Sequence, residues 1–105
     1  MKAAEEKNIL KKAIAMYGTD EQMRMAQEEC GELIVAISKY HRAVNHKRKN
    51  KHDTRYIHRA EKSVAEEITD VQIMLDQLKM LIPADYKAYR EEKLERLNSR
   101  LMEGE

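Results

Sequence analysis

Residues 26–33 of the chain read AQEECGEL, and residues 64–71 read VAEEITDV, at an offset of 38 positions. Each segment opens on an apolar residue, has two consecutive glutamates and closes on an aliphatic residue. Apolar residues recur around both segments at alternating spacings of four and three, which is typical of helices that pack along a seam. The sequence therefore predicts two neighbouring helices with these seam residues: Ala26, Cys30, Leu33, Ile37 and Tyr40 in the first, and Val64, Ile68, Val71, Leu75, Leu78 and Ile82 in the second.

The helical pattern extends over the whole chain and predicts one domain, residues 1–105, with four helices. The predicted ranges are 3–16, about 19–44, 57–82 and about 85–102. Gly18 is placed to end the first helix, and Thr19 or Asp20 to cap the second. Pro83 stops the third helix, and Asp85 is placed to cap the fourth.

The composition favours an all-α fold. Helix-forming residues dominate, and three glycines, one proline and no Phe or Trp leave little material for the turns of a β-sandwich or barrel. Twenty basic and nineteen acidic residues give a net charge of +1, which excludes a globally basic nucleic-acid binder. Without an apolar run of ~20 residues or a signal-peptide core, a soluble cytoplasmic protein is expected. The single cysteine, Cys30, excludes an internal disulfide.

Four acids lie on the apolar flank of the two central helices, where solvated acids are not expected. Glu29 and Glu32 follow the first seam, and Glu67 and Asp70 repeat this spacing on the second. In an antiparallel hairpin the two pairs lie at heights that differ by only ~4.5 Å. Because unpartnered carboxylates are costly to bury and repel one another, we expect a cation between them. Oxygen ligands without cysteine suit Mg²⁺, with Mn²⁺ as an alternative.

Residues 45–56 have no apolar periodicity and are predicted to connect the two central helices. Residues 46–59 hold six lysines and arginines against one acid, Asp53, a net charge of +5. Such a run is either a solvated connection or a rim that attracts a polyanionic substrate. The histidines lack zinc-ligand spacing and are predicted to lie on the surface or in loops: His41, His46, His52 and His58.

The two acidic motifs, EcgE at residues 29–32 and EitD at residues 67–70, resemble the ExxE and ExxD motifs of the all-α nucleoside triphosphate pyrophosphatases, the MazG-like group. Downstream, residues 93–97 are similar to the basic KxxR stretch of that family. The resemblance covers about residues 22–100. Two departures are the 34-residue spacer between Glu32 and Glu67, and Thr69 where many relatives have Gly or Ala.

The resemblance implies hydrolysis of a (deoxy)nucleoside triphosphate to the monophosphate and pyrophosphate, with Mg²⁺ as cofactor. It implies four metal ligands, Glu29, Glu32, Glu67 and Asp70, of which Glu29 or Glu32 activates the water and is catalytic. Substrate phosphates are expected on Lys93 and Arg96 and, as a weaker candidate, on Lys39. The fold it implies is a MazG-like four-helix bundle that is completed by oligomerisation.

A homodimer or homotetramer is also expected from packing, because the third helix has more apolar surface than one neighbour covers. No membrane partner is expected, and nucleic acid is not the favoured partner. The alternative function is a non-catalytic helical module that binds nucleic acid or an acidic protein through residues 46–59. Gly31 either permits a close helix approach or is neutral. The sequence does not choose a base-stacking residue among its tyrosines: Tyr17, Tyr40, Tyr56, Tyr86 and Tyr89.

Overall fold

The computed structural model, which describes residues 1–104, contains four helices: α1 (Ala3–Tyr17), α2 (Thr19–Lys49), α3 (Arg55–Leu81) and α4 (Tyr86–Met102). No strand occurs in these residues, so the predicted all-α class is confirmed. The two long helices, α2 and α3, form an antiparallel hairpin that contains most of the buried residues. Within residues 1–104, no helix combines the length and the apolar character that a membrane crossing requires.

The connection between α2 and α3 is much shorter than the sequence predicts. Helix α2 continues through Lys49 and α3 begins at Arg55, so only residues 50–54 connect them, and the prediction of a connection over 45–56 is wrong. The basic residues of the segment extend the helix because cations are favourable near a helix C-terminus. Asp53 organises the short turn by accepting hydrogen bonds from the Arg55 backbone and side chain.

The helix ends follow the sequence signals in part. Gly18 ends α1 with a φ of 89°, and its N–H donates to the carbonyl of Ile14. It is also the N-cap of α2, so the prediction that Thr19 or Asp20 caps this helix is wrong. The prediction for α4 is confirmed, since the Asp85 carboxylate accepts the backbone N–H of Ala88 at 3.0 Å.

The seam of the hairpin is displaced by one residue at several predicted positions. Its buried and half-buried residues still alternate spacings of three and four. They are Gln22, Ala26, Glu29, Leu33, Ala36, Tyr40 and Ala43 in α2, and Ile57, Ala60, Val64, Glu67, Val71, Met74, Leu78 and Leu81 in α3.

Five predicted seam residues are therefore exposed, and the prediction is wrong for them: Cys30, Ile37, Ile68, Leu75 and Ile82. Adjacent helix positions differ by about 100°, so an apolar pattern permits either of two neighbouring residues at a seam position. The structure selects Glu29 over Cys30 and Glu67 over Ile68, which places two glutamates within the seam.

The hairpin consequently has two unlike sides. One side, here called the polar side, carries polar groups every seven residues: Glu32, Lys39 and His46 on α2, and Tyr56, Ser63 and Asp70 on α3. The opposite side, here called the apolar side, carries the residues that directly follow a seam residue in the sequence. Those exposed there are Met23, Cys30 and Ile37 on α2, and Ile68, Leu75 and Ile82 on α3.

The chain is open rather than compact. Helix α1 packs lightly on α2 and α3, whereas α4 packs against no other helix within residues 1–104. Its first residue, Tyr86, donates a hydrogen bond to the carbonyl of Ile82, and the ammonium of Lys79 at the end of α3 lies over its ring. The radius of gyration is 18.1 Å, against about 13 Å for a compact domain of this length. A single chain thus does not close a four-helix bundle by itself.

Candidate metal centre

Three of the four predicted metal ligands lie together on the hairpin. Glu29 and Glu67 occupy facing seam positions, and Glu32 lies one turn after Glu29 on the polar side. Each offers a carboxylate oxygen, and these oxygens all lie within 4.8 Å of one another. The alternation of three and four residues along both helices turns Glu29 and Glu67 inward at one height, and the exposed Glu32 lies beside them.

Two oxygens of this cluster are buried without a partner. Oε2 of Glu29 and Oε2 of Glu67 are excluded from solvent and accept no hydrogen bond. Leaving such an acceptor unsatisfied costs about 1–3 kcal/mol, and more when the group is charged. The two helices therefore meet here around unsatisfied oxygens rather than around packed methyl groups.

The negative charges of the cluster are not balanced by neighbouring cations within residues 1–104, and burial together with this imbalance raises the pKa of its buried acids. Burial, followed by the charges of Glu32, Asp70 and Glu67, raises the pKa of Glu29 to about 7. Burial and the charges of Glu32 and Asp70 raise the pKa of Glu67 as well. No ion pair in the described part of the chain involves any of these four acids.

Asp70, the fourth predicted ligand, lies at the edge of the cluster. Its charge raises the pKa of both Glu29 and Glu67, which places it near them. Its carboxylate does not join the group within 4.8 Å, and it lines a shallow depression with Lys62, Glu66 and Thr69.

The donor set fits a hard divalent cation. Three carboxylates could offer oxygen ligands, and two of them have a buried oxygen that accepts no hydrogen bond within residues 1–104. Mg²⁺ and Mn²⁺ prefer such oxygens and retain waters that could complete the coordination. A bound cation would offset the repulsion that raises the two glutamate pKa values.

The predicted phosphate ligands fall in different places. Lys39 lies on the polar side and lines a groove of about 580 Å³ together with Glu32 and Glu67. Lys93 and Arg96 lie on α4, away from the hairpin, and Arg96 Nη2 is 2.7 Å from Glu92 Oε1 on the same helix. The structure brings Lys39 to the carboxylates but not the two residues of α4.

Sequence reasoning missed a second group of side chains on the polar side. A cavity closer to the hairpin turn is lined by Arg42, His46, Tyr56 and Arg59, among others. The seven-residue spacing from Lys39 to His46 and from Tyr56 to Ser63 could have revealed them. A connection over residues 45–56 takes His46 and Tyr56 out of the helical pattern, whereas Arg42 and Arg59 lie in the predicted helices at positions that no motif marks.

Gly31 is neutral for helix packing, since a Cβ built there would meet no atom within 4 Å. It lines the groove beside Glu32. No protein-family model, curated protein or solved structure matches the chain.

Proposed function

We propose that the chain is a Mg²⁺-dependent nucleoside triphosphate pyrophosphohydrolase that resembles the MazG-like group. It converts a (deoxy)nucleoside triphosphate into the monophosphate and pyrophosphate. The observation that carries the proposal is the meeting of Glu29, Glu32 and Glu67, two of them with buried oxygens that have no partner. The same residues match the acidic motifs of the sequence, so motif and geometry agree on one location.

The carboxylates of Glu29, Glu32 and Glu67 would hold the metal, with Asp70 as a further ligand from the edge. When bound, Mg²⁺ neutralises phosphate charge and polarises phosphorus towards attack by water. Glu29 and Glu67 are fixed by the seam, because each replaces an apolar residue between two packed helices. A rigid seam keeps ligands at a constant separation, which favours one ion size over another.

An acid of α2 accepts the proton of the attacking water in this proposal. Glu29 and Glu32 are the candidates, because a carboxylate beside the metal would lie within reach of the water that the metal polarises. Glu32 is exposed and can pass a proton to solvent. Lys39 lines the same groove and is placed to neutralise a phosphate oxygen.

The proposal includes assembly into a homodimer or homotetramer. The chain exposes 8736 Å², whereas a compact monomer of 12.4 kDa exposes about 6,100 Å². The excess of about 2,600 Å² is large compared with the ~800 Å² that each partner buries in a standard interface. The apolar side of the hairpin and the leucines of α4 supply that surface. Within such an assembly, Lys93 and Arg96 remain candidates for phosphate contacts.

The direct test is a ³¹P NMR assay of the purified protein with Mg²⁺ and a panel of ribo- and deoxynucleoside triphosphates. The expected products are the monophosphate and pyrophosphate, with no release of single phosphate. EDTA should stop the reaction, and a return of Mg²⁺ or Mn²⁺ should restore it. Absence of turnover with every nucleotide would contradict the proposal. Salt-sensitive binding of duplex DNA by such an inactive protein would favour the helical interaction module instead.

A further inference from the structure

We propose that the cavity near the hairpin turn binds the pyrophosphate portion of the nucleotide, so that the leaving group points towards the turn and away from the carboxylates. The cavity has a volume of about 460 Å³ and lies between the C-terminal half of α2 and the N-terminal half of α3. The ligand's identity rests on the proposed function, whereas the capacity to bind a polyphosphate anion rests on the cavity alone.

The lining is built from two matching helical faces. Each helix contributes residues at spacings of three, four and seven, so that the side chains converge on one space. They are Lys39, Arg42, Ala43 and His46 from α2, and Tyr56, Arg59, Ala60 and Ser63 from α3. Because the floor consists of buried alanines, the helices leave room between their longer side chains.

The charge of the cavity is strongly one-sided. Lys39, Arg42 and Arg59 line it without any acidic neighbour in the lining. None of the three forms an ion pair with a residue in the range 1–104. Elsewhere on the hairpin, Arg55 and Lys62 are paired with acids. Arginines that are free to form bidentate hydrogen bonds suit phosphate oxygens.

One wall is held in position before any ligand binds. His46 Nε2 lies 3.1 Å from Asp53 Oδ2, and the imidazole meets the Tyr56 ring edge to face with centroids 4.6 Å apart. Asp53 is itself held by Arg55, which together with His46 keeps the pKa of this carboxyl well below its usual range. The turn therefore fixes the two rings that close the outer end of the cavity.

The cavity continues into the groove of the carboxylates. Lys39 and Ser63 line both spaces, so the polar side forms one channel from Glu32 and Glu67 to Arg42 and Arg59. Lys39 follows Glu32 by two turns, about 10 Å along the helix. A triphosphate that lies along this channel would have one end beside the carboxylates, where a metal ion could bridge the two groups of negative charge. Its other end, the leaving pyrophosphate, would lie among the cations of the cavity.

The test is a calorimetric titration of the full chain with inorganic pyrophosphate in EDTA, which needs neither metal nor turnover. Arg42→Gln and Arg59→Gln should each weaken binding about tenfold or more, because each removes a charge-assisted contact. Arg48→Gln removes an exposed cation of α2 outside the cavity and serves as the matched control, with affinity within about twofold of the parent chain. Circular dichroism verifies that every variant keeps its helices.

Three outcomes overturn the inference. The first is that the chain does not bind pyrophosphate, and the second is that Arg48→Gln weakens pyrophosphate binding as much as Arg42→Gln does. The third is that a nucleoside monophosphate binds as tightly as pyrophosphate and also depends on Arg42, which would place the other end of the nucleotide in this cavity. The proposed function fails separately. If pyrophosphate binding depends on Arg42 but no nucleotide is hydrolysed, the cavity assignment stands and the proposed function fails. If nucleotides are hydrolysed and Arg42→Gln leaves KM unchanged, only the cavity assignment fails.

Discussion

Glu29 combines two properties that oppose each other in the folded chain. It occupies a seam position where an apolar residue would stabilise the hairpin, and it carries a carboxylate that the neighbouring acids repel. A residue that weakens packing is retained most readily where its chemistry is used. Glu67 faces it with the same conflict from α3.

Glu29→Gln should therefore separate stability from activity. Removing the charge relieves repulsion, so the metal-free variant at pH 8 should be more stable by about 1 kcal/mol, or about 4–8 °C in melting temperature. Turnover should fall about 100-fold or more, because a ligand and candidate base is lost. Circular dichroism melts and the ³¹P assay measure the two effects on one preparation.

Glu21→Gln is the matched control for this substitution. Glu21 lies on the same helix, is exposed, and lies outside both the group of three carboxylates and the groove that they line. It should change melting temperature and turnover little. Full activity of Glu29→Gln would contradict its assignment to the metal centre.

The metal-free protein should lose stability as pH rises from about 4.5 to about 7. Because the folded state raises the pKa of Glu29 from 4.5 to about 7, it binds the proton more tightly than the unfolded chain does. Between these values the folded state holds more protons, so the free energy of unfolding falls with increasing pH. Asp53, whose pKa is lowered from 3.8, adds the opposite trend only at more acidic pH.

Urea titrations at a series of pH values in EDTA measure this dependence. Addition of Mg²⁺ at pH 8 should restore the lost stability, since binding to the folded state alone is stabilising. Glu29→Gln should flatten the profile between pH 5 and pH 8. A profile of the parent chain that is already flat there, or rises, would contradict the electrostatic account.

At the scale of the helices, the sequence predicts which acidic residues lie together better than it predicts which residues pack in the seam. The spacing of the motifs is sufficient to predict that Glu29, Glu32 and Glu67 lie together, because helical periodicity and the symmetry of the hairpin determine their positions. The seam was misplaced because hydrophobicity alone prefers Cys30 to Glu29 and Ile68 to Glu67. Whether the acid or its apolar neighbour occupies the seam depends on contacts between the helices, because these decide whether a buried acid is tolerated beside other acids.

The length of the turn between α2 and α3 also depends on contacts between the helices, which the sequence pattern does not show. Its basic residues have no apolar periodicity, yet α2 continues to Lys49, since small buried residues such as Ala43 and Ala60 hold the helices together up to the turn. A predicted connection that contains His46 and Tyr56 gives no indication that these two residues line one cavity with Arg42 and Arg59. Helix length here follows from tertiary packing and the favourable position of cations at a C-terminus.

The two internal glycines should respond to alanine in opposite ways. Gly18 joins α1 to α2 at φ 89° and ψ 155°, a region that essentially only glycine adopts, so Gly18→Ala should destabilise the corner by about 1–3 kcal/mol. Gly31 lies within α2 with open space around it, so Gly31→Ala should stabilise the chain by about 0.5–1 kcal/mol. Chemical denaturation of the two variants serves as a mutual control, and stabilisation by Gly18→Ala would contradict the assigned backbone geometry.

At the scale of the whole molecule, the open shape of the chain leaves exposed two sides of the hairpin that differ in chemistry. The polar side carries the carboxylates and the cationic cavity, whereas the apolar side exposes a row of residues at seven-residue intervals. Ligand and partner can therefore occupy opposite faces of the same hairpin. An exposed apolar row along both helices is the surface that a second hairpin covers when four helices share one core.

Assembly should depend on the apolar side. Ile68 and Leu75 are 43% exposed and lie one heptad apart on α3, so Ile68→Glu combined with Leu75→Glu should place charges within the interface. Light scattering should give about 25 or 50 kDa for the parent chain, two or four times 12.4 kDa, and a monomer for the double variant. Asp76→Asn, at an exposed position of α3 that does not directly follow a seam residue, is the control and should leave the mass unchanged. A parent chain that stays monomeric at tens of micromolar would contradict the assembly, because about 2,600 Å² of excess surface would then remain in water.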